Sequence, residues 1–277
     1  MFTYYKQGSS FDYKAASLYS ASIHCDGSTW TFAYADTSSG EILAIEQHDT
    51  AEKDPKKGLS QILLNSELKN QLQSASKTAF YSTSKEFTII PSVFFDKQKL
   101  LSIGASFFEN NDSLEVTDQF IPEIDSYLVF GISKNIQSSL IEKIGHIDFS
   151  HHFSSLISTY SLFYTKEGVH SAFIQYHQNK FTLSLFNGKN MIHFNSFEYN
   201  SPEDVLYYTY YTMDQFNFSA SETAIHVGGA AKESELILNQ LQKYSKNIYQ
   251  LKPKCCPDLA TDKSNALLNT IFDVQCG

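Results

Sequence analysis

One segment of this chain occurs twice. Residues 20–36 read SASIHCDGSTWTFAYAD, and residues 171–187 read SAFIQYHQNKFTLSLFN. The two copies align without a gap, so that Ser20 falls on Ser171. Each copy predicts two strands joined by a tight turn, and the turn in the first copy, Asp26-Gly27, is a pair favoured in two-residue hairpins. A duplicated unit of this size restricts the chain to few folds.

The repeat extends beyond the hairpin to a strand-strand-strand-helix-strand unit. Both predicted helices begin with a capping residue followed by proline, and both strands that follow a helix begin with Thr-Ala. The matching elements are strands at 42–47 and 191–198, helices from Asp54-Pro55 and Ser201-Pro202, and short buried strands at 78–82 and 223–227. The second half then continues into a helix with apolar residues at Ile237, Leu241, Tyr244 and Ile248, and a last strand is predicted near 247–251.

The order of these elements predicts three parts: an arm at 1–16, a first lobe at 17–165, and a second lobe with a C-terminal tail at 166–277. Residues 1–15 are polar and aromatic, and we expect them to be irregular. The first lobe contains additional strands and helices between 87 and 164 that have no counterpart in the second lobe.

Composition narrows the possible partners. All 21 basic residues are lysines, so the chain has no guanidinium group to clamp a phosphate. The net charge of −9 argues against nucleic acid and anionic membranes as partners. There is no apolar run of membrane-spanning length and no secretion signal at the start, so we expect a cytoplasmic protein without direct membrane insertion.

Cysteine and histidine give no metal-site pattern. The cysteines do not form a CxxC pair, and we interpret all of them as reduced structural thiols. His151 and His152 are adjacent, and neighbouring side chains on a strand point to opposite faces, which disfavours a shared ion. We therefore predict no metal site. The four cysteines are Cys25, Cys255, Cys256 and Cys276.

Several short motifs, in this order, resemble an uncharacterised bacterial family, a domain of unknown function whose members adopt the actin-like ATPase fold. The resemblance covers roughly residues 15–252. It implies an α/β protein of two duplicated ribonuclease H-like lobes, each with a mixed sheet flanked by helices, and kinship with cytoplasmic domains of type IV pilus and type II secretion systems. The motifs are SIHCDG at 22–27, IIPSVFFD at 89–96, YLVF at 127–130, the second hairpin and Gly228-Gly229.

The resemblance also implies where phosphates would bind. Actin-like ATPases hold them with two hairpin loops of the form Asp-x-Gly-Ser/Thr. This chain has Asp26-Gly27-Ser28 at the first position, one residue short, and a simple hairpin turn also explains these residues. At the second position, His177-Gln178-Asn179-Lys180 offers neither carboxylate nor glycine. Because phosphoryl transfer depends on positioning and charge neutralisation, we expect no efficient ATPase or kinase activity.

A third motif resembles the adenosine loop of this fold. Gly228, Gly229 and Ala230 follow a predicted strand, and glycine lets a backbone approach a ligand closely. The alternative is a tight strand-to-helix turn that needs small residues for packing. Asp26 and Asp148 are the carboxylates that we place near a cleft, and neither is assigned a catalytic role.

Four tyrosines within five residues, Tyr207, Tyr208, Tyr210 and Tyr211, lie on the helix that begins at Pro202. They cover more than one helix face, so they predict either a protein-docking surface or packing against the sheet. Two hypotheses follow. The first is a non-catalytic scaffold or interaction module without a cofactor, which binds a protein of unknown identity. The second is a nucleotide-binding protein with weak ATPase or small-molecule kinase activity that uses ATP and Mg²⁺.

Overall fold

The computed structural model describes residues 2–8, 11–26, 29–52, 54–65, 69–109, 111–177, 180–230 and 234–251. Contacts divide the chain into two compact units, and the division falls between Ser158 and Thr159. The helices in chain order are α1 (Pro55–Asn65), α2 (Lys69–Leu72), α3 (Leu100–Phe107), α4 (Lys134–Ile144), α5 (His152–Thr159), α6 (Pro202–Gln215) and α7 (Ser234–Leu241).

The first unit contains a six-stranded sheet and a three-stranded sheet. Its strands are β1 (Phe2–Gln7), β2 (Tyr19–Asp26), β3 (Thr29–Asp36), β4 (Ile42–Asp49), β5 (Lys77–Ser82), β6 (Phe87–Pro91), β7 (Leu114–Ile121), β8 (Ser126–Ser133) and β9 (Asp148–His151). The large sheet has the order β1-β4-β3-β2-β5-β9, and the small antiparallel sheet has the order β6-β8-β7. The small sheet is the additional material that the sequence predicts for the first lobe.

The second unit contains one five-stranded sheet of order β12-β11-β10-β13-β14. Its strands are β10 (His170–His177), β11 (Lys180–Asn187), β12 (Asn190–Glu198), β13 (Ala224–Ala230) and β14 (Ile248–Gln250). Strands β10, β13 and β14 are parallel, whereas β11 and β12 are antiparallel to their neighbours. The sheet therefore has the order and strand directions of β4-β3-β2-β5-β9 in the first unit.

A shared irregularity supports the duplication. In the first unit the pairing of β3 with β4 shifts between Tyr34 and Ala35. In the second unit the pairing of β11 with β12 shifts between Leu185 and Phe186. The second shift lies 151 positions after the first, which is the same offset that separates Ser20 from Ser171. A bulge is a specific backbone feature, so its recurrence at the equivalent position indicates a common ancestral unit.

The helix starts follow the local sequence. Asp54 accepts a hydrogen bond from the backbone N–H of Lys56, at 2.9 Å, and α1 begins at Pro55 as predicted. Ser201 and Asp204 form a reciprocal capping box at the start of α6, with Pro202 in the first helical position. These local interactions determine where each helix begins after the third strand of its repeat.

Aromatic and aliphatic side chains fill the core of each unit. Trp30, Phe32 and Phe80 are buried in the first unit, and Trp30 packs against Phe80 with ring centroids 6.3 Å apart. In the second unit α6 and α7 cover one face of the sheet, where Val205, Ile237 and other residues of both helices join the strands in one apolar cluster. The hairpin ends and the outer strands remain at the rim of each sheet.

Three sequence expectations are wrong in detail. Residues 2–7 are not irregular, because they form β1 and pair antiparallel with β4. The Thr-Ala pairs do not align, since Thr78 lies opposite Ala21 but Ile225, not Thr223, lies opposite the equivalent Ala172. The final helix ends at Leu241, earlier than its apolar spacing predicts, whereas the strand predicted near 247–251 is confirmed as β14.

Candidate functional site

The first hairpin closes with two residues. Asp26 at the end of β2 is the register partner of Thr29 at the start of β3, so only 27 and 28 connect them. Gly27, Ser28 and the side chain of Asp26 lie outside the described residues. The Thr29 hydroxyl donates to Asp49 Oδ1 at 2.7 Å, and the Thr83 hydroxyl donates to the Cys25 carbonyl at 2.7 Å. The strand ends beside this turn are therefore tied to their own sheet.

The second hairpin closes in the same way. His177 pairs with Lys180, so residues 178 and 179 alone connect β10 to β11. The His177 side chain and both connecting residues lie outside the described residues. Lys180, the lysine that follows this turn, forms an ion pair with Glu198 Oε1 of β12 at 3.1 Å. A phosphate would have to compete with this carboxylate for the ammonium group.

The glycine pair lies within a strand and not in a turn, because β13 continues through Gly228 and Gly229 to Ala230. A Cβ at Gly228 would lie 2.5 Å from Gln175 Oε1 and 2.9 Å from Leu251 Cδ1. Gly229 has a φ of 83°, and a Cβ there would lie 2.2 Å from the Tyr176 carbonyl oxygen. Neighbouring strands and Leu251 thus account for both glycines without a ligand.

Asp148 begins β9 and is exposed, opposite Ala79 of β5. Because Ala79 in turn pairs with Ser22, Asp148 lies at the level of Ser22 and four residues from the β2 end that carries Asp26. Ligands of open α/β sheets bind at the carboxyl ends of the parallel strands. The backbone positions of Asp26 and Asp148 therefore lie at different levels of the sheet, four residues apart in register.

Histidines, and not carboxylates, lie at the carboxyl end of β9. His151 Nε2–H donates to the Ser84 carbonyl at 3.0 Å, and Nδ1 accepts the backbone N–H of Phe153 at 3.1 Å. Burial lowers the pKa of His151 to about 3, although the bond to Ser84 favours the charged form and neighbouring His152 opposes it. Both ring nitrogens are engaged, so His151 supports the fold as a neutral imidazole. The His152 ring packs edge-on against His24, with centroids 5.3 Å apart.

A buried acid–histidine pair lies on β4 and was not predicted from the sequence. Glu46 Oε1 and His48 Nε2 are 2.6 Å apart, and the two side chains are 0% and 3% exposed. An alternating Glu-x-His pattern on a strand is the only sequence signal for it, because i and i+2 share a face. The pair has no solvent access through which a substrate could reach it, so we interpret it as structural.

The described part of the chain contains neither a cluster of metal-binding side chains nor a membrane-spanning helix. Within the described residues, no three His, Cys, Asp or Glu side chains are placed to hold a metal ion together. No described helix is both long enough and apolar enough to cross a membrane. Cys25 is a buried, reduced cysteine.

The four tyrosines of α6 divide into two inward and two outward residues. Tyr208 stacks on Phe197 of β12 with centroids 4.8 Å apart, and the Tyr210 hydroxyl donates to the Leu241 carbonyl at 3.1 Å. Tyr207 and Tyr211 are 61% and 53% exposed and stack on each other with centroids 5.5 Å apart. The helix therefore uses two of these tyrosines for packing and leaves the other two exposed.

Solved structures share this architecture. A protein of unknown function from Bacteroides thetaiotaomicron VPI-5482 with an actin-like ATPase fold matches with a TM-score of 0.81 at 18% identity, over 96% of this chain and 99% of that chain. The PilM-PilN type IV pilus biogenesis complex matches with a TM-score of 0.58 at 8% identity, over 92% of this chain and 98% of that chain. The chain is thus a protein of the actin-like ATPase fold, which confirms the predicted fold class.

The family is also defined. A family model for a protein of unknown function, DUF3822, matches residues 8–248, and the chain belongs to this family. Comparison with curated proteins gives no match. The resemblance based on the sequence motifs is confirmed. It establishes the fold of the chain and does not identify a reaction.

Proposed function

We propose that this chain is a non-catalytic interaction module on an actin-like fold, and that it docks another protein through the exposed face of α6. The observation that carries the proposal is the closure of both hairpins by two residues, between Asp26 and Thr29 and between His177 and Lys180. Phosphate loops need several backbone amides directed at one anion. A two-residue connection provides few of them.

Two further contacts support the absence of phosphoryl transfer. The Lys180 ammonium is paired with Glu198, and the space beside Gly228 is filled by Gln175 and Leu251. Catalysis of phosphoryl transfer consists almost entirely of positioning and electrostatic stabilisation. A chain that lacks arginine and engages this lysine elsewhere has few groups left for that task.

The docking part of the proposal is supported by exposed aromatic area. Tyr207 and Tyr211 form a stacked pair on the solvent side of α6. Tyrosine is enriched at protein interfaces because its ring gives apolar contact while its hydroxyl remains hydrogen-bonded. The PilM-PilN complex gives a precedent for a protein of this fold in an assembly with a partner. The proposed compartment is the cytoplasm, where reduced thiols such as that of Cys25 persist.

Thermal unfolding with Mg-ATP and Mg-ADP tests the catalytic part. A ligand at 100 times its Kd adds about 2.7 kcal/mol to the free energy of unfolding, which for a chain of this size raises Tm by about 5 °C or more. We expect no change at about 5 mM nucleotide. A saturable increase would contradict the proposal, and Asp26→Asn would show whether the first hairpin is responsible. Gly228→Val is unsuitable, because its side chain would overlap Gln175 and Leu251.

A pair of variants tests the docking part. Tyr207→Ser with Tyr211→Ser removes the stacked pair, and both positions are exposed, so the fold is expected to survive. Tyr244→Ser is the matched control, because Tyr244 is 63% exposed but lies beyond α7. We expect the double variant to lose partner binding, measured by photo-crosslinking, and the control to retain it. Equal binding by both would place the docking surface elsewhere.

A further inference from the structure

One side of α6 carries two tyrosines between two carboxylates. Glu203, Tyr207 and Tyr211 follow one another at intervals of four residues, and Asp214 comes three residues after Tyr211. Residues spaced by three or four positions lie on the same side of a helix. All four side chains are exposed, so this side, which we call the outer face of α6, points away from the apolar cluster beneath the helix.

The sequence around the outer face contains no basic residue. Residues 190–231 include five acidic residues and no lysine or arginine, and α7, which joins α6 in the same apolar cluster, has no basic residue either. The outer face therefore has a negative charge that its own neighbourhood in the sequence does not balance. The five acidic residues are Glu198, Glu203, Asp204, Asp214 and Glu222.

Glu203 and Asp214 keep their negative charge available to a partner. Gln240 Nε2 of α7 donates to Glu203 Oε1 at 3.2 Å, and a neutral amide holds the carboxylate without neutralising it. This hydrogen bond is the main cause that lowers the pKa of Glu203, so the carboxylate is ionised at neutral pH. Within the part of the chain that the structure describes, no lysine forms an ion pair with Asp214. Positive charge on a partner would complement this face.

The tyrosine rings offer apolar contact between the two charges. Tyr207 and Tyr211 stack with centroids 5.5 Å apart and an angle of 15° between their planes. Tyr208 meets Tyr207 edge-on at 5.5 Å and is itself stacked on Phe197 of β12. The exposed rings are thus held in place in the free chain. A surface that is already ordered loses little conformational entropy when a partner binds.

We propose that the outer face of α6 binds a protein segment that carries two basic side chains, lysine or arginine, separated by apolar residues. The inference rests on the proposed function, because it names the chemistry of the partner of the same surface. The basic side chains pair with Glu203 and Asp214. The apolar residues, together with the aliphatic stems of the basic ones, cover the rings of Tyr207 and Tyr211.

The helix sets the spacing of the two basic residues. Glu203 and Asp214 are 11 residues apart, which corresponds to about 17 Å along the helix axis. A helical segment that lies along α6 matches this distance with basic residues eleven positions apart, and its apolar residues belong at the fourth and seventh positions after the first of them. A second copy of this chain fits poorly, because antiparallel contact of two outer faces brings Glu203 of each copy near Asp214 of the other.

Binding of designed peptides tests the proposal. The probes are two fluorescein-labelled, alanine-based helical peptides with leucine at the two apolar positions. One peptide has lysine at both charged positions, and the other has glutamate there. Fluorescence anisotropy at low ionic strength is expected to show that the full chain binds the lysine peptide about tenfold or more tightly than the glutamate peptide.

A pair of double variants tests the role of the two carboxylates. Glu203→Gln with Asp214→Asn removes both charges and should reduce the preference for the lysine peptide to about twofold, because only the overall negative charge of the chain then attracts it. Glu167→Gln with Glu222→Gln is the matched control. It removes the same charge from exposed positions of the same unit outside α6, and it should keep the tenfold preference.

The tyrosine variant separates local contact from overall charge. Tyr207→Ser with Tyr211→Ser leaves the charge unchanged and should abolish most of the binding of the lysine peptide. Equal binding of the two peptides, no measurable binding of the lysine peptide, or an equal loss of preference in the control variant would each overturn the basic partner. So would light scattering that shows a dimer which the tyrosine variant loses, since a second copy would then occupy the face. These outcomes leave the docking face itself to the photo-crosslinking experiment and the non-catalytic role to nucleotide binding.

Discussion

Gly229 of β13 lies directly against the backbone of Tyr176 in β10. The two residues are register partners, and a Cβ on Gly229 would lie 2.2 Å from the Tyr176 carbonyl oxygen and 2.9 Å from its nitrogen. A φ of 83° adds a backbone conformation that side chains disfavour. The glycine is therefore required by the sheet itself.

Gly229→Ala should be strongly destabilising. Overlap with rigid backbone and the left-handed conformation together are expected to lower the free energy of unfolding by about 2–5 kcal/mol. Gly40→Ala is the matched control, because Gly40 has a φ of 69° but nothing within 4 Å of its Cβ position. The control should cost about 1 kcal/mol, the conformational part alone. Urea unfolding of both variants measures the difference, and equal costs would contradict the packing explanation.

This glycine shows why the candidate site could be predicted only in part. The sequence shows that Gly228-Gly229 follows a buried strand, and that position matches a ligand loop. Whether the space beside a glycine holds a ligand or a neighbouring strand depends on Gln175, Tyr176 and Leu251. Those contacts are set by non-local pairing, which the local pattern does not contain.

More of the fold than of the site could be predicted from the sequence, because each element of the duplicated unit occurs twice and the two copies support the same assignment. The hairpins, the third strands and the capped helices were all predicted from alternation, Asp-Gly and Pro signals. Strand β1 was missed because its partner, β4, begins only at Ile42, so the pairing is not local in sequence. The polar and aromatic sequence of β1 is also short and has no strong alternation. The pair of Glu46 and His48 was missed because burial of β4 depends on neighbours on both sides.

Substitution of an inward tyrosine of α6 should lower the free energy of unfolding more than substitution of an outward one. Tyr208→Ala removes a ring that stacks on Phe197 and contacts Phe181, and a partly buried aromatic of this kind should cost about 1–3 kcal/mol of unfolding free energy. Tyr207→Ala, at a 61% exposed position, should stay within about 0.5 kcal/mol of wild type. Chemical denaturation followed by circular dichroism compares them. A larger loss for Tyr207→Ala would reverse the assignment of the two faces.

Glu46 and His48 should be energetically coupled. His48→Phe leaves Glu46 Oε1 buried without its 2.6 Å partner, and leaving a buried polar group without its hydrogen-bond partner costs about 1–3 kcal/mol. Replacing both residues, by Glu46→Leu with His48→Phe, removes the buried polar group as well. We therefore expect the double variant to be more stable than His48→Phe alone. A double-mutant cycle by urea unfolding measures the coupling, and strictly additive single effects would show that the contact contributes nothing.

Acid should destabilise the protein through its buried histidines. The pKa of His151 is lowered from 6.5 to about 3, mainly by burial, and that of His226 is lowered to about 4, mainly by burial and then by Lys166. The unfolded chain binds protons near pH 6.5 while the folded chain does not. Above pH 6.5 both histidines are neutral in the folded and the unfolded chain, and the full free energy of unfolding is present. As the pH falls from 6.5 toward the folded pKa of each histidine, that histidine lowers the free energy of unfolding by about 1.4 kcal/mol per pH unit.

The contribution of His151 can be isolated by the slope of stability against pH. His151→Gln loses one titrating group, so its unfolding free energy should change between pH 6.5 and 4.5 by about 2–3 kcal/mol less than that of wild type. His226 still titrates in this variant, so the slope should decrease without vanishing. Identical slopes for His151→Gln and wild type would mean that His151 is accessible to protons in the folded chain, contrary to its hydrogen bonds with Ser84 and Phe153.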